Sequence, residues 1–568
     1  MRALLALLFL LAGAVPAMAE RFVAISFHGV VDDEKELGSD DITTGRLIAF
    51  FDWLKGSGWN AVSLDDIAAA RAGTRPLPPR AILLTFDDGY RDAYTRVFPL
   101  LLAYRYPAVF ALVGTWMDAS PDGTVLYGDT RVPREKFMSW AEAREMAASG
   151  LAEFASHSYN LHKGVLGSPQ GSRPPAASTW IYDPRTGLHE TDAAIQARIL
   201  ADFRRSMSLM RTHLSKAPRT LVWPYGRYSG PALAAARQAG FTFALTLDPE
   251  PADTANLMAI PRLFPVQDPK LGIMAEELRF ADPNPATRRV VCLALDPLAQ
   301  GGPADQEQAL GKTIEALRRL GANTVVLDPS VSHPPGTPMG PVWFRTPLRP
   351  MAQDLFSFIA WQLRSRAGVD VYARVDLGAA EAAMGRNRVA EFTRDLVRNV
   401  LLTGLLLEPA GDLLTAGAGQ PIPAPWLIRA ARNGVDPASL NPEGQRALEA
   451  WRAAVALRPS LRLALPSTSI PPGPWPAPAA DWLLTAPTAE PLASVATILN
   501  KRGWLAPDVG PRIVLPLQAG ESEAAIIRAI RRAQGQGATA FSLCPAPSFP
   551  TDPGLNAAFS AASFPRLP

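Results

Sequence analysis

The sequence predicts an α/β protein of more than one domain. The chain is 568 residues long, which is ample for two hydrophobic cores. In its second half, eight short apolar runs alternate with segments of helical periodicity, the pattern of a (β/α)₈ barrel. In its first half, apolar strand-like runs end in carboxylates, imidazoles and aromatic residues. Both halves therefore predict parallel strands that alternate with helices.

The composition indicates a globular, loop-rich protein. The 55 Pro and 42 Gly residues are many, but apolar runs recur along the whole chain. The net charge of +3 is too small to indicate nucleic-acid binding, so we expect no nucleic acid among the partners. The two cysteines, Cys292 and Cys544, do not suggest a disulfide framework.

The first nineteen residues have the features of a secretory signal peptide. Arg2 is the basic start, Ala3–Val15 is an apolar core too short to span a membrane, and Ala17-Met18-Ala19 is a cleavage sequence. We expect cleavage between Ala19 and Glu20 and a periplasmic or secreted product. No Cys follows the cleavage site, so a lipoprotein anchor is not expected.

Two motifs predict a metal site. Thr85-Phe86-Asp87-Asp88-Gly89-Tyr90 places two adjacent carboxylates after a buried strand, and they repel unless a cation is near. His157-Ser158-Tyr159-Asn160-Leu161-His162 follows another apolar run and holds two of only six His. Alone, each motif is ordinarily a solvated turn or a packed histidine. Together they offer one carboxylate and two imidazoles, which suit zinc, nickel, cobalt or iron(II).

Two further positions at strand ends are candidates for the same site. His28 ends the first strand, Phe22–Phe27, and is either a core histidine or a proton carrier in the cleft. Leu221-Val222-Trp223-Pro224-Tyr225-Gly226 ends another strand, and its aromatic residues either pack or face substrate. Between residue 213 and the end of the first domain there is no other His.

These motifs resemble those of the polysaccharide deacetylases, carbohydrate esterase family 4. The His spacing of five is similar to one branch, the periplasmic poly-β-1,6-N-acetyl-D-glucosamine N-deacetylases of biofilm export systems, and residues 137–162 are similar to that branch almost throughout. The resemblance implies a distorted (β/α)₇ barrel over residues 20–280. Val222 stands where the wider family usually has an Arg that orients the catalytic carboxylate, which leaves open what tunes Asp87.

The resemblance also implies a role for each candidate residue. Asp88, His157 and His162 would hold the metal, and Asp87 would be the general base. His28 would protonate the leaving amine, from the open side of the metal across from Asp87. A backbone N–H, at Tyr90 or Tyr225, would bind the oxyanion beside Trp223.

The second half resembles the C-terminal glycoside-hydrolase-like domain of the same branch. We predict a linker at residues 281–287 and a (β/α)₈ barrel over residues 288–568. The branch carries two Asp after its fourth barrel strand, where this sequence has Glu408-Pro409-Ala410-Gly411. Carboxylates remain at the other predicted strand ends, at Asp296, Asp328 and Asp376 as well as Glu408. We expect a non-catalytic barrel that binds or guides polymer.

The predicted function is metal-dependent N-deacetylation of an exported poly-β-1,6-N-acetyl-D-glucosamine polymer. The expected partners are this polymer and an outer-membrane export porin. Two alternatives stay open. One is deacetylation of another N-acetylated glycan, such as peptidoglycan or chitooligosaccharide, and the other is a non-catalytic polysaccharide-binding protein.

Overall fold

The structure is a computed structural model that describes nine ranges of the chain: 20–248, 252–279, 288–408, 442–467, 482–485, 492–501, 505, 513–517 and 523–544. The predicted signal peptide and linker lie outside these residues. The chain divides into two compact units. The first comprises residues up to 163, 196–227 and 232–283, and the second comprises 164–195, 228–231 and 284 onward. Residues 164–195 and 228–231 thus group with the second unit, although they lie within the span predicted for the first domain.

The first fourteen strands form one eight-stranded sheet and three two-stranded pairs. In chain order they are Arg21–Phe27 (β1), Val30–Val31 (β2), Ile42–Thr43 (β3), Asn60–Ala61 (β4), Ala81–Phe86 (β5), Ala108–Leu112 (β6), Thr124–Tyr127 (β7), Thr130–Pro133 (β8), Ala152–Ser156 (β9), Tyr182–Asp183 (β10), Leu188–His189 (β11), Thr220–Val222 (β12), Phe243–Leu245 (β13) and Ala252–Asp253 (β14). The main sheet has the order β13-β12-β9-β6-β5-β1-β14, with β4 beside β5, and the pairs are β2-β3, β7-β8 and β10-β11.

Six strands of this sheet, from β13 to β1, are parallel. The segment 260–263 forms parallel bridges with Leu245 at one end of this series and with Ile25 at the other. It therefore supplies a seventh member between β13 and β1, and the predicted α/β fold of polysaccharide deacetylase type is confirmed. The strands are apolar on both faces, as parallel strands covered by helices require.

Helices alternate with these strands. Within the described residues they are Thr44–Gly56 (α1), Leu64–Arg71 (α2), Phe98–Tyr104 (α3), Gly114–Met117 (α4), Trp140–Ala148 (α5), Asp192–Leu214 (α6), Gly230–Ala239 (α7), Leu271–Arg279 (α8), Pro303–Arg319 (α9), Phe356–Gln362 (α10), Leu377–Met384 (α11), Val389–Asn399 (α12), Pro442–Leu457 (α13), Leu492–Lys501 (α14) and Glu523–Gln534 (α15). The Thr43 hydroxyl caps α1 by accepting from the Arg46 amide. Helix α1 buries its predicted apolar face, Leu47, Phe50, Phe51 and Leu54.

The second unit contains a closed parallel barrel. Its strands are Arg289–Leu293 (β15), Thr324–Leu327 (β16), Asp370–Asp376 (β17), Gly404–Glu408 (β18), Arg462–Ser467 (β19), Trp482–Thr485 (β20), Ile513–Pro516 (β21) and Ala540–Leu543 (β22). All eight lie within the eight predicted apolar runs, so the predicted barrel is confirmed. Tyr372 and Trp482 meet edge to face inside it, with ring centroids 5.1 Å apart.

One disulfide joins the first and last strands of the barrel. Cys292 lies on β15 and Cys544 follows β22, and the two sulfurs are bonded across 252 residues of sequence. The sequence analysis did not predict this pair. Barrel closure makes β15 and β22 neighbours and so brings the two cysteines together. None of the described helices is long and apolar enough to cross a membrane.

Candidate metal centre

The carboxyl ends of the first unit's parallel strands bring the candidate residues together. His28 follows β1, Asp87 and Asp88 follow β5, and His157 follows β9. Strands β1 and β5 pair with Phe27 opposite Phe86, so the next residues, His28 and Asp87, are neighbours. The site thus lies where α/β sheets ordinarily carry chemistry.

Asp88, His157 and His162 form a cluster with the composition of a metal site. Their ligand atoms all lie within 4.8 Å of one another. Oδ1 of Asp88 is 3.4 Å from Nε2 of His157 and 3.3 Å from Nε2 of His162. The side chains of Asp88 and His157 are almost completely buried, and that of His162 is only 7% exposed. The structure therefore joins the three residues predicted as ligands.

The hydrogen bonds around the cluster fit a divalent ion. Nδ1 of His157 lies 2.8 Å from the Val222 carbonyl, so this nitrogen carries the proton and Nε2 presents its lone pair to the site. The hydroxyl of Tyr127 donates to Oδ2 of Asp88 at 2.9 Å. Oδ1 of Asp88 is buried and finds no hydrogen-bond partner among the described residues, although it faces two imidazoles. An ion between these three side chains would satisfy that oxygen.

The loop that joins the two histidines is held from helix α6. Oδ1 of Asp202 accepts from the Tyr159 amide and Oδ2 accepts from the Asn160 amide, each at 2.8 Å. Burial raises the pKa of Asp202 to about 6 despite these two bonds. Ser158 has a φ of 68°, a left-handed conformation that non-glycine residues seldom adopt. Asp202 thus fixes a strained loop whose ends carry His157 and His162.

Arg262 pairs with Asp87 and supplies the guanidinium that is absent at position 222. Its Nη1 donates to Oδ1 at 2.8 Å and its Nη2 donates to Oδ2 at 2.9 Å. Nη1 also donates to Oγ1 of Thr85 at 2.8 Å. The Arg262 side chain is 0% exposed and that of Asp87 is 3% exposed, so this is a fully buried bidentate pair. Arg262 lies in the segment 260–263 that bridges β13 and β1.

Charged neighbours keep the buried groups in defined protonation states. Burial opposes charge on Asp87, but Arg262 outweighs it and lowers the pKa of Asp87 below its usual value. Burial likewise opposes charge on Asp88, and the adjacent imidazoles of His162 and His157 lower its pKa. Burial lowers the pKa of His162 to about 4. Both carboxyls are therefore ionised and His162 is neutral near pH 7, the forms that a base and a metal ligand need.

His28 lies beside Asp87, and the expectation that it would lie across from Asp87 is wrong. Its Nε2 is 3.9 Å from Oδ2 of Asp87. The in-register pairing of β1 with β5 is the physical reason, because it makes residues 28 and 87 neighbours on one edge. The His28 ring packs on Phe264 with ring centroids 4.7 Å apart, and the side chain remains 11% exposed.

The three aromatic candidates differ in position. Tyr225 has a left-handed φ of 57°, is 39% exposed, and places its ring 4.4 Å from that of His162. Tyr90 is partly buried and stacks on Phe137. Trp223 is 0% exposed, and its indole packs edge-on against Phe203. The Trp223 side chain therefore belongs to the core, while Tyr225 borders the cluster.

Sequence analysis missed three residues that position the site. Arg262, Tyr127 and Asp202 were not singled out. Arg262 and Asp202 belong to elements far along the chain from their partners, and Tyr127 lies on the β7–β8 hairpin, which the motifs do not include. The one available signal was the absence of an Arg at position 222, which called for a cation elsewhere.

The barrel of the second unit carries a different set of carboxylates. Arg374 on β17 contacts Glu408 at the end of β18, with Nε 2.6 Å from Oε2, and Asp328 after β16, with Nη1 3.7 Å from Oδ2. Asp376 accepts from the Ala379 amide and caps α11. Asp296 accepts from Ser332. Residues 409–411, where the sequence departs from the glycoside-hydrolase-like pattern, lie outside the described residues.

The fold and the cluster define an α/β domain with a candidate divalent-metal centre at its strand ends. Residues 74–244 match the family model described as polysaccharide deacetylase, and residues 293–399 match hypothetical glycosyl hydrolase family 13. The chain is therefore similar to polysaccharide deacetylases over residues 74–244 and to that second family over residues 293–399.

Several known proteins are similar to parts of this chain. The chain is 36% identical over 353 residues to the poly-β-1,6-N-acetyl-D-glucosamine N-deacetylase of Escherichia coli K12. The matched region covers 62% of this chain and 52% of the relative. It thus spans about half the length of that relative. A de-N-acetylase from Aggregatibacter actinomycetemcomitans is 35% identical, with a TM-score of 0.43 over 45% of this chain and 99% of its own. The BpsB deacetylase domain of Bordetella bronchiseptica is 42% identical, with a TM-score of 0.39 over 43% and 94%.

We predict that Arg262→Met destabilises the protein by about 3–5 kcal/mol, because it leaves the Asp87 charge buried without a partner. Arg96→Met is the matched control, since Arg96 also forms a bidentate pair, with Asp32, but at the surface. That variant should lose at most about 1 kcal/mol. Urea denaturation of both variants measures the difference in the free energy of unfolding. Equal stability of the two variants would show that the Asp87 pair does not hold the site together.

Proposed function

We propose that the first unit is a metal-dependent N-deacetylase of a poly-β-1,6-N-acetyl-D-glucosamine polymer. The observation that carries the proposal is the convergence of Asp88, His157 and His162 with Asp87 directly beside them. One carboxylate and two imidazoles make an ordinary three-ligand set that leaves coordination positions for other groups. Zinc, nickel, cobalt and iron(II) all suit such a set.

The chemistry divides between the ion and the surrounding residues. A divalent ion held by Asp88, His157 and His162 would polarise the acetyl carbonyl and lower the pKa of water. Asp87, kept ionised by Arg262, accepts the proton of the attacking water as general base. The backbone N–H of Tyr90 or Tyr225 donates to the developing oxyanion. The Trp223 indole supports this edge of the site from the core.

His28 completes the proton transfer in this mechanism. The C–N bond of the amide breaks, acetate leaves with the oxygen of water, and the nitrogen of the sugar takes a proton from His28. The proton that Asp87 has accepted then returns to His28, whose Nε2 lies 3.9 Å from Oδ2 of Asp87.

The choice of polymer rests on the relatives. The Escherichia coli relative and one from Staphylococcus aureus, 23% identical over 222 residues, both carry the name poly-β-1,6-N-acetyl-D-glucosamine N-deacetylase. Peptidoglycan and chitooligosaccharides are the alternative substrates, and parallel assays on all three glycans distinguish them. Export through an outer-membrane porin and a periplasmic location after cleavage at Ala19 are parts of the same proposal.

Metal removal and three substitutions test the mechanism. A chelator, or His157→Ala, should abolish acetate release from the polymer without unfolding the protein. Asp87→Asn should keep its metal and lower kcat by about 10²–10⁴-fold, because it loses the base. Asp88→Asn should lose metal affinity as well as turnover. The measurements are acetate release and metal content of the purified variants.

Retained turnover in a metal-free sample would refute the proposed function. If neither the wild type nor any variant releases acetate, the protein is a polysaccharide-binding protein without catalytic activity. If Asp87→Asn lost metal while Asp88→Asn kept it, the base and the ligand would have to exchange roles.

His28→Ala should lower kcat by about 10²-fold or more, with a smaller change in KM and an unchanged metal content, because the leaving amine loses its proton donor. His213→Ala is the matched control, since His213 stacks on Trp140 with ring centroids 4.4 Å apart and lies outside the site. Steady-state kinetics of the two variants give the comparison. A His28→Ala enzyme with the kcat of His213→Ala would exclude His28 as the acid.

For the second unit, residues 288–568 in the main, we propose a barrel that binds polymer without cutting it. Glycoside hydrolysis ordinarily uses two carboxylates, one of which donates a proton. Here Arg374 lies between Asp328 and Glu408 and contacts both. Both carboxylates are therefore already engaged with one cation, although burial keeps the pKa of Asp328 above its usual value.

The full chain carrying Asp88→Ala should therefore leave partly deacetylated polymer at its original length. The Asp88→Ala background removes deacetylation, so chain length reports only on the barrel. Size-exclusion chromatography of the polymer after incubation is the measurement. Shorter oligosaccharides that disappear when Glu408→Gln is added would make the barrel a hydrolase.

A further inference from the structure

The β7–β8 hairpin, Thr124–Pro133, places one side chain against the candidate metal centre. The Tyr127 hydroxyl donates to Oδ2 of Asp88 at 2.9 Å. The Trp116 indole N–H donates to the carbonyl of the preceding residue, Leu126, at 3.2 Å, and the Trp116 and Tyr127 rings are 5.1 Å apart. The Tyr127 ring also lies 6.2 Å from that of His162. The Tyr127 ring is therefore held beside the rings of Trp116 and His162.

The two oxygens of Asp88 have different surroundings. Oδ1 faces Nε2 of His157 and of His162 at 3.4 and 3.3 Å and finds no hydrogen-bond partner in the described part of the chain. Oδ2 accepts the bond from Tyr127. Oδ1 is thus available to face an ion, whereas Oδ2 already accepts a hydrogen bond.

We propose that Tyr127 is a positioning residue that keeps Asp88 a one-oxygen ligand. A carboxylate can bind a metal through one oxygen or through both. A donor on Oδ2 competes with the second metal–oxygen contact and fixes the rotation of the carboxylate. The coordination position that Oδ2 would otherwise fill then stays open for water or for the acetyl oxygen. This inference rests on the proposed metal centre and adds a residue that controls its coordination number.

The experiment replaces the resident ion with Co²⁺ in the full chain. High-spin Co²⁺ absorbs visible light more weakly as its coordination number rises, so the band intensity reports the change directly. At saturating Co²⁺ and equal occupancy, Tyr127→Phe should show a weaker visible band than wild type, because Asp88 then binds through both oxygens. Acetate release should fall about 10-fold or more, as for other residues that orient metal ligands.

Tyr104→Phe is the matched control. The Tyr104 hydroxyl also donates to an aspartate, Oδ1 of Asp52 at 2.6 Å, but on the surface of α3 and α1. This variant should keep the wild-type band and turnover. Thermal unfolding in chelator should be similar for wild type and both variants, which separates a local effect on Asp88 from a loss of folding.

Two outcomes test the role of Tyr127 and the metal centre separately. If Tyr127→Phe keeps the wild-type Co²⁺ band while Asp88→Ala abolishes that band, the metal centre stands and the role of Tyr127 is wrong. If Asp88→Ala binds Co²⁺ with the wild-type band, the ion is not held by Asp88 and the proposed function itself fails.

Discussion

The buried ion pair between Arg262 and Asp87 is the contact on which the candidate site depends. Asp87 follows β5, and Arg262 lies on the segment between β13 and β1, so the pair ties the middle of the sheet to its two ends. Neither charge would be tolerated at this depth alone. Because the pair is bidentate, it also fixes the plane of the Asp87 carboxylate. The base is therefore held in one orientation by the same contact that stabilises the sheet.

Much of this arrangement could be predicted from local sequence. Adjacent carboxylates after one apolar run and two imidazoles after another indicate strand ends, and parallel strands bring their carboxyl ends to one edge. The predicted Asp88, His157 and His162 cluster follows from that rule. The same rule, applied with the register Phe27 to Phe86, places His28 beside Asp87. The register itself was not evident from the sequence, and for that reason the relation of His28 to Asp87 was wrongly expected.

Contacts between segments that are far apart in the chain could not be predicted from the sequence alone. Arg262 is 175 residues from Asp87, and Cys292 is 252 residues from Cys544. Both pairs exist because a series of parallel strands returns to its starting point. The eight barrel strands were predictable from their periodicity, yet periodicity does not state which side chains face each other across the closure. Tyr127 was missed for another reason, since its short hairpin lies outside any motif.

Both units place charged residues at the ends of parallel strands, but the carboxylates there have different partners. In the first, the guanidinium of Arg262 pairs with Asp87 alone, and the neighbouring Asp88 keeps one buried oxygen that faces two imidazoles and lacks a hydrogen-bond partner in the described residues. In the second, the guanidinium of Arg374 contacts Asp328 and Glu408 together. A buried oxygen without a hydrogen-bond partner is stabilised by an ion that it can coordinate. By this criterion Asp88 of the first unit is prepared to bind an ion, whereas at the described strand ends of the second unit one guanidinium already contacts both Asp328 and Glu408.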